Sequence, residues 1–229
     1  MKQPLLMLSA VCLLIVASCS KSSDSPEQEQ AKNEMTVNGA VYGTTVIGNQ
    51  TWTTVNYNGS GGVNYNDEAN DPRVGKLYTL AESKAIVLPA GWRLPSRDDY
   101  NKLLGTLGET AKDSYGFYSP SVAVTKKLMA TSSWNNYTGT NESGFNCLAT
   151  GIFRDLQRTI DAGFNFKGTE TAFITTSFFT EYGIGWDKIP VSFDIYLETL
   201  NGSTEVHAGF SDSIVENSDK GSIRFVKDN

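Results

Sequence analysis

The chain has 229 residues, with 19 lysines and arginines against 25 aspartates and glutamates, so its net charge is −6. The sequence contains no cluster of lysines and arginines, so we expect no nucleic-acid partner. His207 is the single histidine and the three cysteines have no zinc-ligand spacing, so the sequence offers neither a metal site nor a nucleophile–base motif. We expect a protein that is not an enzyme and that carries no cofactor.

Residues 1–18 have the pattern of a secretory signal peptide. Lys2 supplies the positive start, and residues 4–17 form an apolar run shorter than the roughly 20 residues that a membrane span needs. The run leads into Ala17-Ser18-Cys19, which resembles the lipobox of bacterial lipoproteins and implies a diacylated Cys19. Ser20 would be the second residue of the mature chain. A serine there, in place of an aspartate, resembles the signal that sorts lipoproteins to the outer membrane. The alternative is an ordinary secretory signal followed by an incidental cysteine.

Residues 19–35 are predicted to be a disordered tether between the lipid and the domain. Residues 20–33 contain no aromatic or β-branched side chain, so they cannot bury enough apolar surface to order themselves. Residues 36–229 then have a length that suits one domain with a sizeable core. Cys147 is alone in this domain, so it cannot form an internal disulfide, and we predict that it is buried as a small apolar side chain.

The domain is predicted to open with a β-hairpin and a first helix. Residues 40–47 are rich in β-branched and aromatic side chains, Gly48-Asn49 is a turn signal, and residues 50–57 resume the strand pattern. Residues 58–72 are dominated by Gly, Asn and Asp, which predicts a loop. Residues 77–87 are predicted to be a helix.

A second helix is predicted after Pro95, where Ser96 is the natural N-cap and Asp99 stands in the capping-box position. Tyr100, Leu103, Leu104 and Leu107 then fall on one helical face. Asp98 and Asp99 could be read as a carboxylate pair for acid–base chemistry. Helix capping explains both acids without any further partner, and it is the interpretation we favour.

The second half of the chain is predicted to be short strands and polar loops, after one more helix at residues 123–130. The predicted strands are residues 145–148, 173–176, 191–197, 205–208 and 222–226. Because the helices lie in the first half and the strands mostly in the second, the pattern predicts an α+β fold.

Five sequence motifs occur in the order of one known family. They are V-I-G-N-Q-T-W at 46–52, G-K-L-Y-T at 75–79, P-A-G-W-R-L-P-S at 89–96, N-E-S-G-F-N at 141–146 and S-I-R-F-V-K-D at 222–228. The chain thus resembles the Fibrobacter succinogenes major paralogous domain, which is common in lipoproteins of Bacteroidetes and Fibrobacteres. The resemblance implies a C-type lectin-like fold, with two main helices packed on a twisted antiparallel sheet and long irregular loops. It implies no shared activity.

The chain departs from the family at two positions where the family usually has cysteine. Leu88 stands before Pro89, and Phe225 stands in the closing strand. The resemblance implies that these two cysteines join the turn before G-W-R-L-P to the last strand. We therefore predict that Leu88 and Phe225 touch in the core and replace the disulfide by apolar contact.

Two aromatic clusters in predicted loops are candidate ligand-binding surfaces. Tyr182, Trp186 and Asp187 lie in a Gly-rich loop where C-type lectin-like domains usually present their ligand surface. Trp134 and Tyr137 flank two asparagines in another loop. Aromatic faces beside amide donors suit sugar rings or protein anchors. The alternative is that these aromatic side chains cover the edges of a β-rich core.

These patterns predict an outer-membrane lipoprotein of the cell envelope that faces the periplasm or the cell surface. Its partners would be the membrane, through the lipid on Cys19, and a glycan or protein ligand bound without catalysis. The alternative is a structural or tip component of a surface assembly such as a pilus, and an enzyme is the least favoured reading.

Overall fold

A computed structural model describes residues 33–69, 71–110, 119–155, 162–179, 189–214 and 218–229. Of the described residues, 39% are in strands and 14% in helices, and they form three sheets with three short helices, so the described part of the domain is mostly β. The predicted α+β, C-type lectin-like fold with two main helices packed on a sheet is therefore wrong. Within the described ranges, no helix has the length and apolar character needed to cross a membrane.

The first sheet brings the two ends of the domain together. Its strand order is β1-β2-β3-β9, all antiparallel, with β1 at Glu34–Val37, β2 at Ala40–Ile47, β3 at Gln50–Thr53 and β9 at Val226–Asp228. The predicted hairpin across Gly48-Asn49 is confirmed, because Ile47 pairs with Gln50. The closing strand pairs with β3, so the end of the chain lies beside this hairpin.

Two further sheets carry the rest of the β structure. One is the two-stranded pair β4-β5, and the other is the three-stranded β6-β7-β8; the strands are Ile152–Arg154, Gly163–Asn165, Glu170–Phe179, Ile189–Leu200 and Ser203–Ser211. The long β7–β8 hairpin turns at Asn201-Gly202, where both residues have positive φ, as a two-residue hairpin turn requires. This hairpin is much longer than the two short strands predicted from the sequence.

The helices are short, and residues next to two of them form β-bridges. The helices are α1 at Leu80–Lys84, α2 at Arg97–Thr106 and α3 at Val122–Leu128. The helix predicted at 77–87 is reduced to α1, because Leu77 and Tyr78 bridge to Val63 and Gly221. The predicted second helix is confirmed as α2, and the third as α3.

The core consists of two apolar clusters. The first surrounds Trp52, whose ring lies 5.0 Å from that of Tyr100 and 5.6 Å from that of Phe145. Cys147 belongs to it as a buried, free thiol, as predicted, and burial raises its pKa to about 12. Such a thiol stays protonated and unreactive at neutral pH.

The second cluster contains the pair expected to replace the family's disulfide. Phe225 is fully buried in it, and Leu88 packs, half-buried, against the same cluster. The turn that follows Leu88 is joined to the last strand, because Arg93 and Val226 exchange backbone hydrogen bonds of 3.0 Å. The predicted neighbourhood of the turn and the strand is present, and direct contact between the two side chains stays a prediction.

Candidate functional site

Several residues proposed from the sequence lie outside the described residues. These are the lipidation residue Cys19 and the loop residues Tyr182, Trp186 and Asp187. Their roles stay predictions.

Trp134, from the second aromatic cluster, is part of the core. Its side chain is only 5% exposed, and its indole Nε1 donates a 3.0 Å hydrogen bond to the carbonyl oxygen of Cys147. The ring therefore stabilises the loop from inside and offers no face to a ligand. Tyr137 is half-buried against the same cluster, with the Lys126 ammonium 5.4 Å from its ring centre. The neighbouring Asn135 lines a separate cleft of about 380 Å³.

An open groove of about 580 Å³ lies beside the G-W-R-L-P-S motif. Its floor is apolar and aromatic, formed by Ile86, Leu88 and Trp92, and its rim carries the exposed side chains of Lys84, Asp98 and Lys102. Ser96 and Thr176 add hydroxyl groups to the lining. An apolar floor with a few polar groups around it is the usual composition of a ligand site.

Trp92 is held in this groove by the turn that precedes it. Its backbone N–H donates to the carbonyl of Pro89 at 3.1 Å, and Gly91 adopts a φ of +81°, which glycine tolerates best. The ring packs, half-buried, against the second core cluster, and the ammonium of Lys227 lies 5.5 Å from its centre. Trp92 therefore has a fixed position and a partly accessible surface.

The wall of the groove is fixed by a saturated network around Asp99. The carboxylate accepts hydrogen bonds from the Ser96 backbone and hydroxyl at 2.8 and 2.7 Å, from Gln50 at 2.8 Å, and from the guanidinium of Arg93. Burial alone would raise the pKa of Asp99, but the hydrogen bonds from Arg93 and Ser96 hold it below its ordinary value. Asp99 is thus a capping and positioning residue, as favoured from the sequence, while Asp98 stays at the exposed rim.

Within the described residues, no group of three His, Cys, Asp or Glu side chains has an arrangement that could hold a metal ion. The groove lining contains neither histidine nor cysteine. The apolar floor and the charged rim of the groove suit recognition of a ligand by contact and hydrogen bonding.

The sequence model of the Fibrobacter succinogenes major domain matches residues 42–227. The chain belongs to this family. No curated protein and no solved structure matches it. The Fibrobacter succinogenes major domain of this chain thus covers the groove and both core clusters, apart from Met35 and Val37 in the first strand.

Two motifs of the Fibrobacter succinogenes major domain meet at a buried arginine. Arg224, from S-I-R-F-V-K-D, donates to the carbonyls of Phe145 and Asn146, in N-E-S-G-F-N, at 2.9 and 3.0 Å. It also donates to the Thr53 carbonyl and to the Asn56 side chain, both at 2.6 Å. Burial lowers the pKa of Arg224 to about 10. These motifs therefore build the core, whereas G-W-R-L-P-S also lines the groove.

Sequence reasoning missed the groove because Trp92 was read only as part of a structural motif. The signal was present, since Trp92 is followed within six residues by Arg93, Ser96 and Asp98. What the sequence could not supply was the approach of Lys84 and Thr176 from other elements.

Proposed function

We propose that this chain is an outer-membrane lipoprotein, anchored through Cys19, whose domain binds a glycan without catalysis in the groove beside Trp92. The observation that carries the proposal is the fixed, partly accessible Trp92 ring between exposed charged side chains. The anchor is supported by the apolar run that ends at Ala17-Ser18-Cys19.

The chemistry of the groove favours a sugar ring as the ligand. The C–H face of a pyranose can lie on the indole, while its hydroxyls donate to Asp98 and accept from Lys84 and Lys102. The groove is open to solvent, so a sugar could enter without displacing the core. A protein partner would need a larger apolar surface than Ile86, Leu88 and Trp92 provide.

The experiment is a glycan array probed with the full chain carrying Cys19→Ser, compared with the same chain carrying Trp92→Ala or Lys102→Ala. We expect Trp92→Ala to abolish binding and Lys102→Ala to weaken it, because the first removes the stacking surface and the second one donor. Val87→Ala is the control, since Val87 is 80% exposed and does not line the groove. Equal binding by Trp92→Ala and the parent would refute the groove as the site.

The anchor is tested separately by fractionation of cells that express the full chain. We expect the parent in the outer-membrane fraction and Cys19→Ser in the soluble periplasmic fraction or arrested before processing. A processed Cys19→Ser chain that still fractionates with the membrane would contradict lipidation. Recovery of the parent in a pilus-like assembly, with no glycan bound on the array, would favour the structural alternative.

A further inference from the structure

Phe166 is a strained aromatic residue at the surface. Its φ is +64°, in the left-handed region that bulky side chains avoid, yet its side chain is 40% exposed. The turn is fixed, because the Phe166 carbonyl accepts from the backbone N–H groups of Thr169 and Glu170, both at 2.9 Å. Burial of the ring therefore does not compensate the strain, which is a pattern found at functional sites.

The guanidinium of Arg154 lies against this ring, with its central carbon 5.6 Å from the ring centre. Arg154 ends β4 and is half-buried, and its Nε is enclosed without a hydrogen-bond acceptor. Among the residues that the structure describes, no carboxylate forms an ion pair with it. A guanidinium has five N–H donors in a fork that matches a carboxylate. In Arg154 the Nε is enclosed, so the two terminal Nη groups are the pair that would meet a carboxylate.

Arg154 and Phe166 both lie close to Glu170 at the start of β6, because the Glu170 backbone N–H donates to Phe166 and its carboxyl interacts electrostatically with Arg154. Glu170 pairs with Tyr196 and Tyr196 with His207, so the three side chains form one row across β6, β7 and β8. Tyr196 is 40% exposed, and its ring stacks on that of His207 at 5.2 Å. Tyr196, which offers a ring and a hydroxyl group, is therefore the cross-strand neighbour of Glu170.

Two acids interact electrostatically with Arg154, but neither forms an ion pair with it. Burial and the neighbouring Asp194 raise the pKa of Glu170 to about 7, although Arg154 lowers it. Burial also raises the pKa of Asp194, whose Oδ2 accepts from Ser211 and whose Oδ1 has no hydrogen-bond donor. His207 lies 3.4 Å from Glu198, farther along the row. Glu170 is therefore largely protonated below neutral pH, and the charge of Arg154 is then available to an anion.

We propose that Arg154 and Phe166 form a binding site for a hexuronic acid residue of a glycan, separate from the Trp92 groove. The guanidinium fork receives the sugar carboxylate, and the Phe166 ring receives the C–H face of the pyranose. Tyr196 supplies a second ring and a hydroxyl for the adjacent sugar. A peptide carboxylate would need only the fork, and it would leave the two exposed rings of this row unused.

The test titrates the full chain carrying Cys19→Ser with trigalacturonic acid and with its methyl ester, which keeps the ring and removes the charge. We expect binding of the acid and weak or no binding of the ester. Arg154→Gln should weaken binding of the acid by roughly tenfold or more, and Arg154→Lys by an intermediate factor, because lysine keeps the charge but not the fork. Arg73→Gln is the matched control, since Arg73 is exposed and paired with Asp71.

Phe166→Asn is the second variant, because asparagine tolerates the left-handed conformation and the turn should therefore keep its fold. We expect this variant to bind the acid at least about fivefold more weakly, through loss of the ring alone. Binding by the parent should also weaken as the pH rises through about 7, where Glu170 ionises beside Arg154. Glu170→Gln should remove most of that pH dependence.

The proposal is overturned if the parent binds the ester as well as the acid, or if Arg154→Gln binds the acid like the parent. Equal or tighter binding of triglutamate would also overturn it, because the site would then recognise a peptide carboxylate. Trp92→Ala and Arg154→Gln together show which site holds trigalacturonic acid. Loss of its binding in Trp92→Ala, with Arg154→Gln unaffected, would overturn the proposal and assign the acid to the groove.

Discussion

Two arginines of this domain illustrate how hydrogen-bond satisfaction separates a structural cation from one that is available to a ligand. Arg224 is fully buried, donates four hydrogen bonds to three backbone carbonyls and the Asn56 side chain, and lies 4.8 Å from the ring centre of Phe145. Arg154 is half-buried on a strained surface ring and has no hydrogen-bond acceptor among the described residues. The same side chain thus ties the core together in one place and stays available in the other.

The largest expected effect is at Arg224. Arg224→Gln leaves the carbonyls of Thr53, Phe145 and Asn146 without their donors inside the core, so we expect a loss of about 3–5 kcal/mol in the free energy of unfolding. Urea denaturation of the variant against the parent measures this, with Arg73→Gln as the control. A loss below about 1 kcal/mol would mean that the buried hydrogen bonds are not what holds the two motifs together.

Phe225→Ala asks whether the cost at Arg224 reflects its hydrogen bonds or merely the packing of the last strand. Phe225 follows Arg224 in the sequence and is fully buried. Its truncation to alanine should lower the free energy of unfolding by about 3–5 kcal/mol, because it leaves a cavity and exposes no polar group.

The replacement of the family's disulfide is tested by Leu88→Cys with Phe225→Cys, which should oxidise to a disulfide if the Cα atoms lie within about 7 Å. Two free thiols after oxidation and denaturation would refute the expected contact.

Glu170→Gln sharpens the account of the surroundings of Arg154. The folded-state pKa of Glu170, about 7, lies above its unfolded value, so the folded chain binds the proton more tightly. The stability that this tighter proton binding contributes is complete below the unfolded-state pKa of Glu170, and it is lost as the pH rises through about 7. We expect the parent to lose roughly 1–3 kcal/mol of stability between about pH 4.5 and pH 8 through this group, and Glu170→Gln to lose correspondingly less. Parallel pH profiles of parent and variant would show that Glu170 is not perturbed.

The smallest effect is expected at Ser96, in the saturated network at the groove. Ser96→Ala removes the N-cap hydroxyl, which accepts a 3.2 Å hydrogen bond from the backbone N–H of Asp99. We therefore expect a loss of about 1 kcal/mol in the free energy of unfolding. Ser121→Ala, at the cap of α3, is the comparison, because its side chain accepts from Val124 at 3.4 Å without a full capping box. A larger cost at Ser121 would contradict the ranking by hydrogen-bond satisfaction.

The sequence predicted those elements whose signals are local. Ser96 and Asp99 mark the start of α2 because capping involves residues three apart, and Gly48-Asn49 marks the first hairpin for the same reason. Asn201-Gly202 is an equally local signal for a hairpin turn, and it accounts for the β7–β8 hairpin that the predicted short strands did not include. The helix predicted at 77–87 failed because the partners of Leu77 and Tyr78 are distant in sequence. Local pattern could not reveal that these residues would prefer β-bridges.

The candidate sites were harder to predict, because each is assembled from separate parts of the chain. In the sequence, Trp134 has the features of a ligand-binding residue, because it is aromatic and stands beside two asparagines. In the structure, its indole N–H donates to the carbonyl of Cys147 inside the core. Arg154 and Phe166 are twelve residues apart, and neither has a neighbour in the sequence that signals the other. Their proposed role depends on the turn conformation of Phe166 and on the lack of an ion pair to Arg154 among the described residues, and neither can be read from the sequence.

The central claim is that Arg224 is a saturated structural cation and Arg154 an available one, and urea unfolding of Arg154→Gln beside Arg224→Gln tests it most directly. Loss of Arg154 removes a stacking contact and its electrostatic interactions with Glu170 and Asp194, but among the described residues it leaves no hydrogen-bond acceptor unpaired. The account predicts a change of less than about 1 kcal/mol for Arg154→Gln against a loss of about 3–5 kcal/mol for Arg224→Gln. Equal losses for the two variants would contradict it.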